Sequence, residues 1–279
     1  MRKHESFALS CAGIFLLLAA GAMSPKAAEQ GQPGAQAGFR WPEGKRAALS
    51  LTFDDARRSQ VDNGLPLFDR QAVKATFYVS PDNVKERLEG WRRAVKNGHE
   101  IGNHTMTHPC TGNYAFSKGN ALEDYTLERI AREIDEAERA ISELLAVKAT
   151  SFAYPCCQTF VGRGQEVKSY VPLVAKRFRT GRLGGDEAAN DPQICDLSQL
   201  LAQGSDGATF EELKALVDGA AAEGRWLILV GHEIADTGYQ TTSAKALEAL
   251  CRYATNPANG LWIDTVSRIG QYIVERRSK

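Results

Sequence analysis

Neither sign of charge dominates this chain of 279 residues, in which 34 Lys and Arg face 34 Asp and Glu. It carries no basic excess of the kind that grips nucleic acid and no acidic tract, so a nucleic-acid partner is not expected. No segment repeats at a fixed period, which excludes solenoid and propeller arrays. Long apolar runs are also missing: residues 7–20 fall short of the ~20 residues that a membrane-crossing helix needs. With the basic Met1-Arg2-Lys3-His4 before it and the small Ala20-Gly21-Ala22 after it, this run reads as the core of a signal peptide, residues 1–22. The expected location is therefore the periplasm or the exterior, with no stable membrane span after cleavage and an uncleaved anchor as the alternative. Leucine sits one position off a lipid-attachment pattern in Ala8-Leu9-Ser10 before Cys11, so no lipid anchor is expected. Residues 23–40, rich in Ala, Gly, Gln and Pro, read as a flexible leader. What remains, residues 41–279, is one domain of about 240 residues, long enough for a substantial core.

Cysteine is sparse and its count is awkward. Without Cys11, the cysteines are Cys110, Cys156, Cys157, Cys195 and Cys251, an odd number in an oxidising compartment, so at most two intrachain disulfides form and one thiol is left over. Histidine is scarcer still, with five in the chain. Two of these stand at ligand spacing in Gly102-Asn103-His104-Thr105-Met106-Thr107-His108-Pro109. About fifty residues earlier, Leu49-Ser50-Leu51-Thr52-Phe53-Asp54-Asp55 ends an apolar strand on paired carboxylates. One oxygen and two nitrogen ligands suit a divalent transition metal, zinc most readily, and leave positions open for water or substrate. Cobalt, manganese and nickel accept the same set. Neighbouring strand residues point oppositely, so Asp54 and Asp55 serve one site only if the strand ends there and the chain bends. His104 and His108 are expected to share one face of a short helical turn that Pro109 cuts off. Each motif alone has a plainer use, the aspartates as a turn or cap and the histidines as solvated helix residues. Their convergence favours a metal site.

Thr52-Phe53-Asp54-Asp55, His104-Thr105-Met106-Thr107-His108, Phe152-Ala153-Tyr154-Pro155 and Leu229-Val230-Gly231-His232 occur in the order seen in polysaccharide deacetylases of the NodB-homology type, carbohydrate esterase family 4. The chain resembles that family over about residues 45–275. The resemblance implies a distorted (β/α) barrel of seven or eight units, with the site at the carboxyl ends of its strands. It implies a metal-dependent hydrolase that removes acetyl groups, N-acetyl foremost, from a polysaccharide or oligosaccharide such as chitin, peptidoglycan or another N-acetylhexosamine polymer. Asp55, His104 and His108 would bind the metal, Asp54 would act as general base and His232 as general acid. The backbone N–H of Cys156, after Tyr154 and Pro155, would stabilise the oxyanion. Where many members carry an arginine two residues before the motif proline, this chain has Ala153, so Arg179 or Arg182 would have to supply the cation that keeps Asp54 ionised. The motifs place Cys110 and Cys156 near the mouth, which suggests a bridge from Cys110 to Cys156 or Cys157. Cysteine as a further metal ligand is the rival reading.

The remaining pattern fits an α/β barrel. Strands are expected at 47–53, 73–79, 151–154, 226–230 and 261–263. A long amphipathic helix is expected from Leu122 to Leu145, with others around Trp91, at Phe210 to Ala220 and, capped by Thr265, through Val274. Alternating strands and helices argue for a parallel sheet. Trp91, Tyr114, Phe116 and Tyr239 are candidates for a sugar groove. A cyclic-amide hydrolase, a glycosidase on a related barrel and a non-catalytic carbohydrate-binding relative are the alternatives.

Overall fold

A computed structural model describes residues 39–278. The expected signal peptide and nearly all of the expected leader lie outside the described residues. Twelve strands follow in chain order: β1 (Ala47–Asp54), β2 (Thr76–Val79), β3 (Glu100–Asn103), β4 (Ser151–Ala153), β5 (Phe160–Val161), β6 (Lys168–Ser169), β7 (Thr180–Arg182), β8 (Gln203–Gly204), β9 (Trp226–Gly231), β10 (Glu233–Ala235), β11 (Thr241–Ser243) and β12 (Leu261–Ile263). The α-helices are α1 (Leu65–Arg70), α2 (Pro81–Lys85), α3 (Leu88–Lys96), α4 (Leu127–Leu145), α5 (Val171–Arg177), α6 (Phe210–Glu223), α7 (Ala244–Thr255) and α8 (Val266–Arg277).

The main sheet runs β7-β4-β3-β2-β1-β9-β8, with β12 also paired to β1 and every pairing parallel. β9 takes one edge of β1 from Ala48 to Phe53, so β12 and β2 must share the other, β12 along Ala47 to Leu49 and β2 along Thr52 to Asp54. That sharing is the distortion of the barrel. Closure comes from a loop rather than a full ladder. Leu183 N–H donates to Leu200 O and Leu200 N–H to Gly181 O, each at 2.7 Å, which joins the β7 edge to the chain just before β8. The expected distorted (β/α) barrel is the fold observed.

All eight residues of β1 are buried, as parallel strands covered on both faces usually are. Leu49, Leu51 and Phe53 pack into the largest core with residues of α1, α3, α6 and α7. Ser50 and Thr52 alternate with them and are buried too, because each finds a partner. Thr52 Oγ1 donates to Leu229 O at 2.7 Å, and Ser50 Oγ accepts from Trp226 Nε1 at 3.1 Å. At the amino end of the barrel, Thr76 Oγ1 and Glu100 Oε2 accept the first N–H groups of α8, from Val266 at 3.0 Å and Ser267 at 2.9 Å.

Several expectations need correction. The helix expected from Leu122 is split: Leu122–Asp124 is a 3-10 turn, and α4 starts only after Thr126, whose side chain accepts from Arg129 N–H as an N-cap. β2 begins at Thr76 rather than Val73. Trp91 is fully buried against Phe77, with ring centroids 5.2 Å apart, and cannot meet a sugar. Phe39 and Arg40, the last residues of the expected leader, belong to the packed body: Phe39 meets Trp41 edge-on and Arg40 O accepts from Tyr272 Oη at 2.9 Å.

Candidate active site

The strand β1 ends on Asp54, and the chain then turns through left-handed backbone at Asp55 (φ 73°) and Ala56 (φ 54°). That reversal is what allows adjacent aspartates to face one site. Non-glycine residues adopt such angles only where surrounding contacts hold them. Here Asn83 Nδ2 donates to Asp55 O at 2.8 Å, and Gln60 Nε2 donates to Asp54 O at 2.6 Å. The same Gln60 amide reaches His232 O at 2.8 Å, tying the ends of β1 and β9 together.

The histidines converge by a different route from the helical turn expected. Residues 104–108 form no helix; Thr105 (φ 65°) and His108 (φ 52°) are left-handed. Asn103 Oδ1 accepts from Thr105 N–H at 2.9 Å, and Thr105 Oγ1 accepts from His108 N–H at 3.1 Å. This side-chain-closed turn sets the two imidazoles edge to face with centroids 4.8 Å apart. Their Nε2 atoms lie 3.6 Å (His104) and 3.5 Å (His108) from Asp55 Oδ1. One donor atom each of Asp55, His104 and His108 fall within 4.8 Å of one another, close enough for one cation to touch all three. His104 Nδ1–H donates to Ala153 O at 2.9 Å, which fixes the tautomer and leaves Nε2 free as a ligand. The residue that replaces the motif arginine thus still serves the site through its carbonyl.

Electrostatics fit that set. Burial works against ionisation of Asp55, but His104, His108 and Arg57 outweigh it and hold the carboxyl below its ordinary range. Arg57 takes the other oxygen, with Nη2 3.0 Å from Asp55 Oδ2. Burial, reinforced by His104, pushes the His108 imidazole down to about 4, so it stays neutral at physiological pH, as a ligand must.

Asp54 is buried and paired with Arg182, whose Nη2 donates to Asp54 Oδ1. Arg182 is 1% exposed and stands on β7 in direct register with Ala153 of β4. The cation missing from one strand is supplied by its neighbour. Arg179 is not at the site: its Nη1 donates to Ser267 Oγ at 3.0 Å.

His232 follows β9, and its Nδ1–H donates to Asp206 Oδ2 at 2.6 Å. Burial depresses the imidazole pKa, yet Asp206, together with Asp54 and Asp55, raises it above the ordinary histidine value. Asp206 is held in turn by Thr242, whose Oγ1 donates to Asp206 Oδ1 at 2.9 Å, and by the His232 N–H at 3.1 Å. Sequence reasoning missed Asp206 and Gln60. Asp206 sits in Gly204-Ser205-Asp206-Gly207, which reads as an ordinary turn, and nothing local marks it as a partner of His232.

Cys110 and Cys156 are joined in a disulfide, while Cys157, Cys195 and Cys251 are free. This removes Cys110 and Cys156 as thiolate ligands in this state and leaves Asp-His-His as the donor set. Tyr154 and Pro155 are buried, and Tyr154 Oη is already donating to Ser198 O at 2.8 Å, so Tyr154 contributes a wall rather than a free hydroxyl. Cys156 follows with φ 50°, its backbone turned sharply beside the cleft. Asp54, Asp55, His104, His108, Arg182, Asp206 and His232 line one cleft of about 1210 Å³ with Tyr154 and Cys156, edged by Tyr114, Phe116 and Tyr239. Tyr114 and Phe116 stack at 5.4 Å, and Tyr239 is 88% exposed.

The fold and site define a parallel α/β barrel with an Asp-His-His cluster, a buried Asp-Arg pair and an Asp-His pair at its strand ends. The profile of the polysaccharide deacetylase family matches residues 41–163. Over 255 residues it is 25% identical to a gellan lyase from Bacillus sp., a match covering 85% of this chain and 10% of that protein. A chitooligosaccharide deacetylase from Sinorhizobium fredii is 43% identical over 63 residues, 22% of this chain and 29% of the relative. The chain thus spans less than a third of the length of these curated relatives. Among solved structures, a Mycobacterium smegmatis protein described as a polysaccharide deacetylase superposes with a TM-score of 0.63 at 15% identity, covering 87% of this chain and 95% of the other. At that identity the likeness shows the shared fold.

Proposed function

We propose that this chain is a divalent-metal-dependent hydrolase that removes acetyl groups, N-acetyl foremost, from a polysaccharide or oligosaccharide of N-acetylhexosamine units such as chitin or peptidoglycan. One observation carries the reading: a three-donor cluster, an arginine-paired buried carboxylate and an aspartate-backed histidine share one cleft. The Sinorhizobium relative, a chitooligosaccharide deacetylase by name, supports the substrate class. Asp55, His104 and His108 would hold the cation, zinc by preference, with cobalt, manganese or nickel accepted by the same donors. When bound, a divalent cation supplies Lewis acidity and makes water a nucleophile near neutral pH.

The chain's own groups do the rest. Arg182 pairs with Asp54 and holds its carboxylate in place, and Asp54 takes the proton of the attacking water. The Cys156 N–H donates to the acyl oxygen as negative charge develops there. His232, whose pKa Asp206 raises, gives a proton to the departing amine. Tyr114, Phe116 and Tyr239 offer exposed faces to sugar rings. The protein works outside the cytoplasm, and recovery of the uncut amino terminus from the cytoplasmic fraction would contradict that.

The test is acetate release from N-acetylated oligosaccharides, abolished by a chelator and restored by zinc. Asp55→Ala should lose the cation and activity together, whereas Asp54→Asn should keep the cation and lose about 10²–10⁴-fold in turnover. Full activity of Asp54→Asn would overturn the base assignment. New reducing ends without acetate would identify a glycosidase instead, and sugar binding without either product would indicate a lectin-like protein.

A further inference from the structure

His108 stands between two donor clusters. Its Nε2 faces Asp55 and His104, and its Nδ1 faces Cys110, with Nδ1–H donating to Cys110 Sγ at 3.6 Å. One atom each of His108, Cys110 and Cys156 fall within 4.8 Å of one another, as tightly gathered as the Asp-His-His donors. In the oxidised chain the sulfurs are bonded to each other and serve His108 only as a weak acceptor, which keeps its proton on Nδ1 and its Nε2 free. The geometry points to a second, redox-gated metal site: once the Cys110–Cys156 bridge is reduced, Cys110 Sγ, Cys156 Sγ and His108 Nδ1 form a soft donor set for a thiophilic cation.

The chemistry balances with a dithiol as reductant. The dithiol gives two electrons and two protons, the Cys110–Cys156 bond breaks into two thiols, and the dithiol closes to its own disulfide. Cation binding then releases the thiol protons to solvent and replaces them with metal–sulfur bonds. Two thiolates and an imidazole favour zinc, cadmium or copper(I) over harder ions. The Cα atoms of Cys110 and Cys156 are 5.9 Å apart, so both side chains start within reach of one ion. Cys110 is buried, its N–H donating to Ser117 Oγ at 3.0 Å, so the backbone that presents the sulfur is held independently of the bridge. Because His108 belongs to both sets, a cation in the soft site recruits its Nδ1 and sets the two sites in competition. That competition bears on catalysis only under the function proposed above; the soft site itself does not depend on it.

The probe is cadmium alone, added to oxidised protein and to protein reduced by a dithiol and then freed of it. Reduction should raise the titratable thiol count by two. Cadmium should then give the ultraviolet thiolate-to-cadmium absorption, binding at least about tenfold more tightly than to the oxidised chain. Cys157→Ser and Cys195→Ser should keep the absorption; Cys110→Ser and, separately, Cys156→Ser should lose it. His108→Gln should weaken reduced-state binding by at least about 10-fold, since losing even a partner outside the ligands costs that much. A thiol count that does not rise, an absorption that survives Cys110→Ser or Cys156→Ser, or one that vanishes with Cys157→Ser would overturn the proposal. None of these readouts uses acetate release, so failure here is separate from failure of the deacetylase reading.

Discussion

Arg182 reaches Asp54 from a strand other than the one that runs into the motif proline. Ala153 stands where the family motif expects an arginine, but Ala153 and Arg182 are register partners on adjacent strands, so the guanidinium reaches Asp54 from one strand over. Arg182→Met should cut turnover by about 10²-fold or more, as the proposed general base loses its buried ion-pair partner. It should also destabilise the fold by about 3–5 kcal/mol, because a buried carboxylate is left unpaired. The second effect should be largely relieved in the Asp54→Asn, Arg182→Met double variant, and denaturant melts of the single and double variants check it. Equal destabilisation in both would show that the ion pair is not the cause. Ala153→Arg placed on an Arg182→Ala background should recover part of the lost turnover. Asp206 governs His232 in a similar way. The folded-state pKa of His232 is raised, so this pair stabilises the fold fully below the unfolded histidine value and loses that contribution as pH rises through the folded value. In Asp206→Asn, the alkaline limb of the turnover profile should therefore move to lower pH. A limb that stays in place would remove His232 from the acid role.

The elements were legible in proportion to how much of their signal is local. β1 and β9 are expected from apolar runs; β1 is buried throughout and β9 everywhere but at half-buried Val230. α6 was visible in its spacing, and its start is fixed by a capping box in which Thr209 accepts from Glu212 N–H while Glu212 accepts from Thr209 N–H. The turn at 104–108 was misread as helical because i, i+4 spacing is all that sequence offers. The left-handed angles that bring His104 and His108 together depend on Asn103 and Thr105 folding their side chains onto the backbone. The split of the 122–145 helix is likewise a cap effect, at Thr126, inside an unbroken apolar pattern. Gly231, the last residue of β9, illustrates a constraint that no local pattern shows. A Cβ there would meet Thr242 Oγ1 and lie 2.7 Å from Ser205 Oγ and 3.0 Å from Asp206 Oδ1. Gly231→Ala should therefore push Asp206 away from His232 and lower turnover while cation affinity holds. Unchanged turnover would mean that the cradle tolerates the shift.

At the scale of the whole molecule, the site is a joint between distant stretches of chain, which is why its candidate donors are legible in the sequence but their supports are not. Asp54 and Asp55 leave β1, His104 follows β3, Arg182 ends β7 and His232 follows β9, and the barrel delivers all of them to one mouth. The barrel provides the frame that holds these ends in place; among the described residues no helix is long and apolar enough to cross a membrane. A cation bridging Asp55 to His104 and His108 would therefore link the β1 and β3 ends of that frame and stabilise the folded chain by mass action. At a free concentration 100 times the dissociation constant, the expected gain is about 2.7 kcal/mol. Thermal melts with and without zinc after chelation should show the rise in the wild type and in Asp54→Asn, and should show none in Asp55→Ala. A zinc-dependent rise that persists in Asp55→Ala would place the cation on other donors. The soft His108-Cys110-Cys156 set is the first to examine in that case, and oxidised protein, where those sulfurs are bonded together, discriminates between the two.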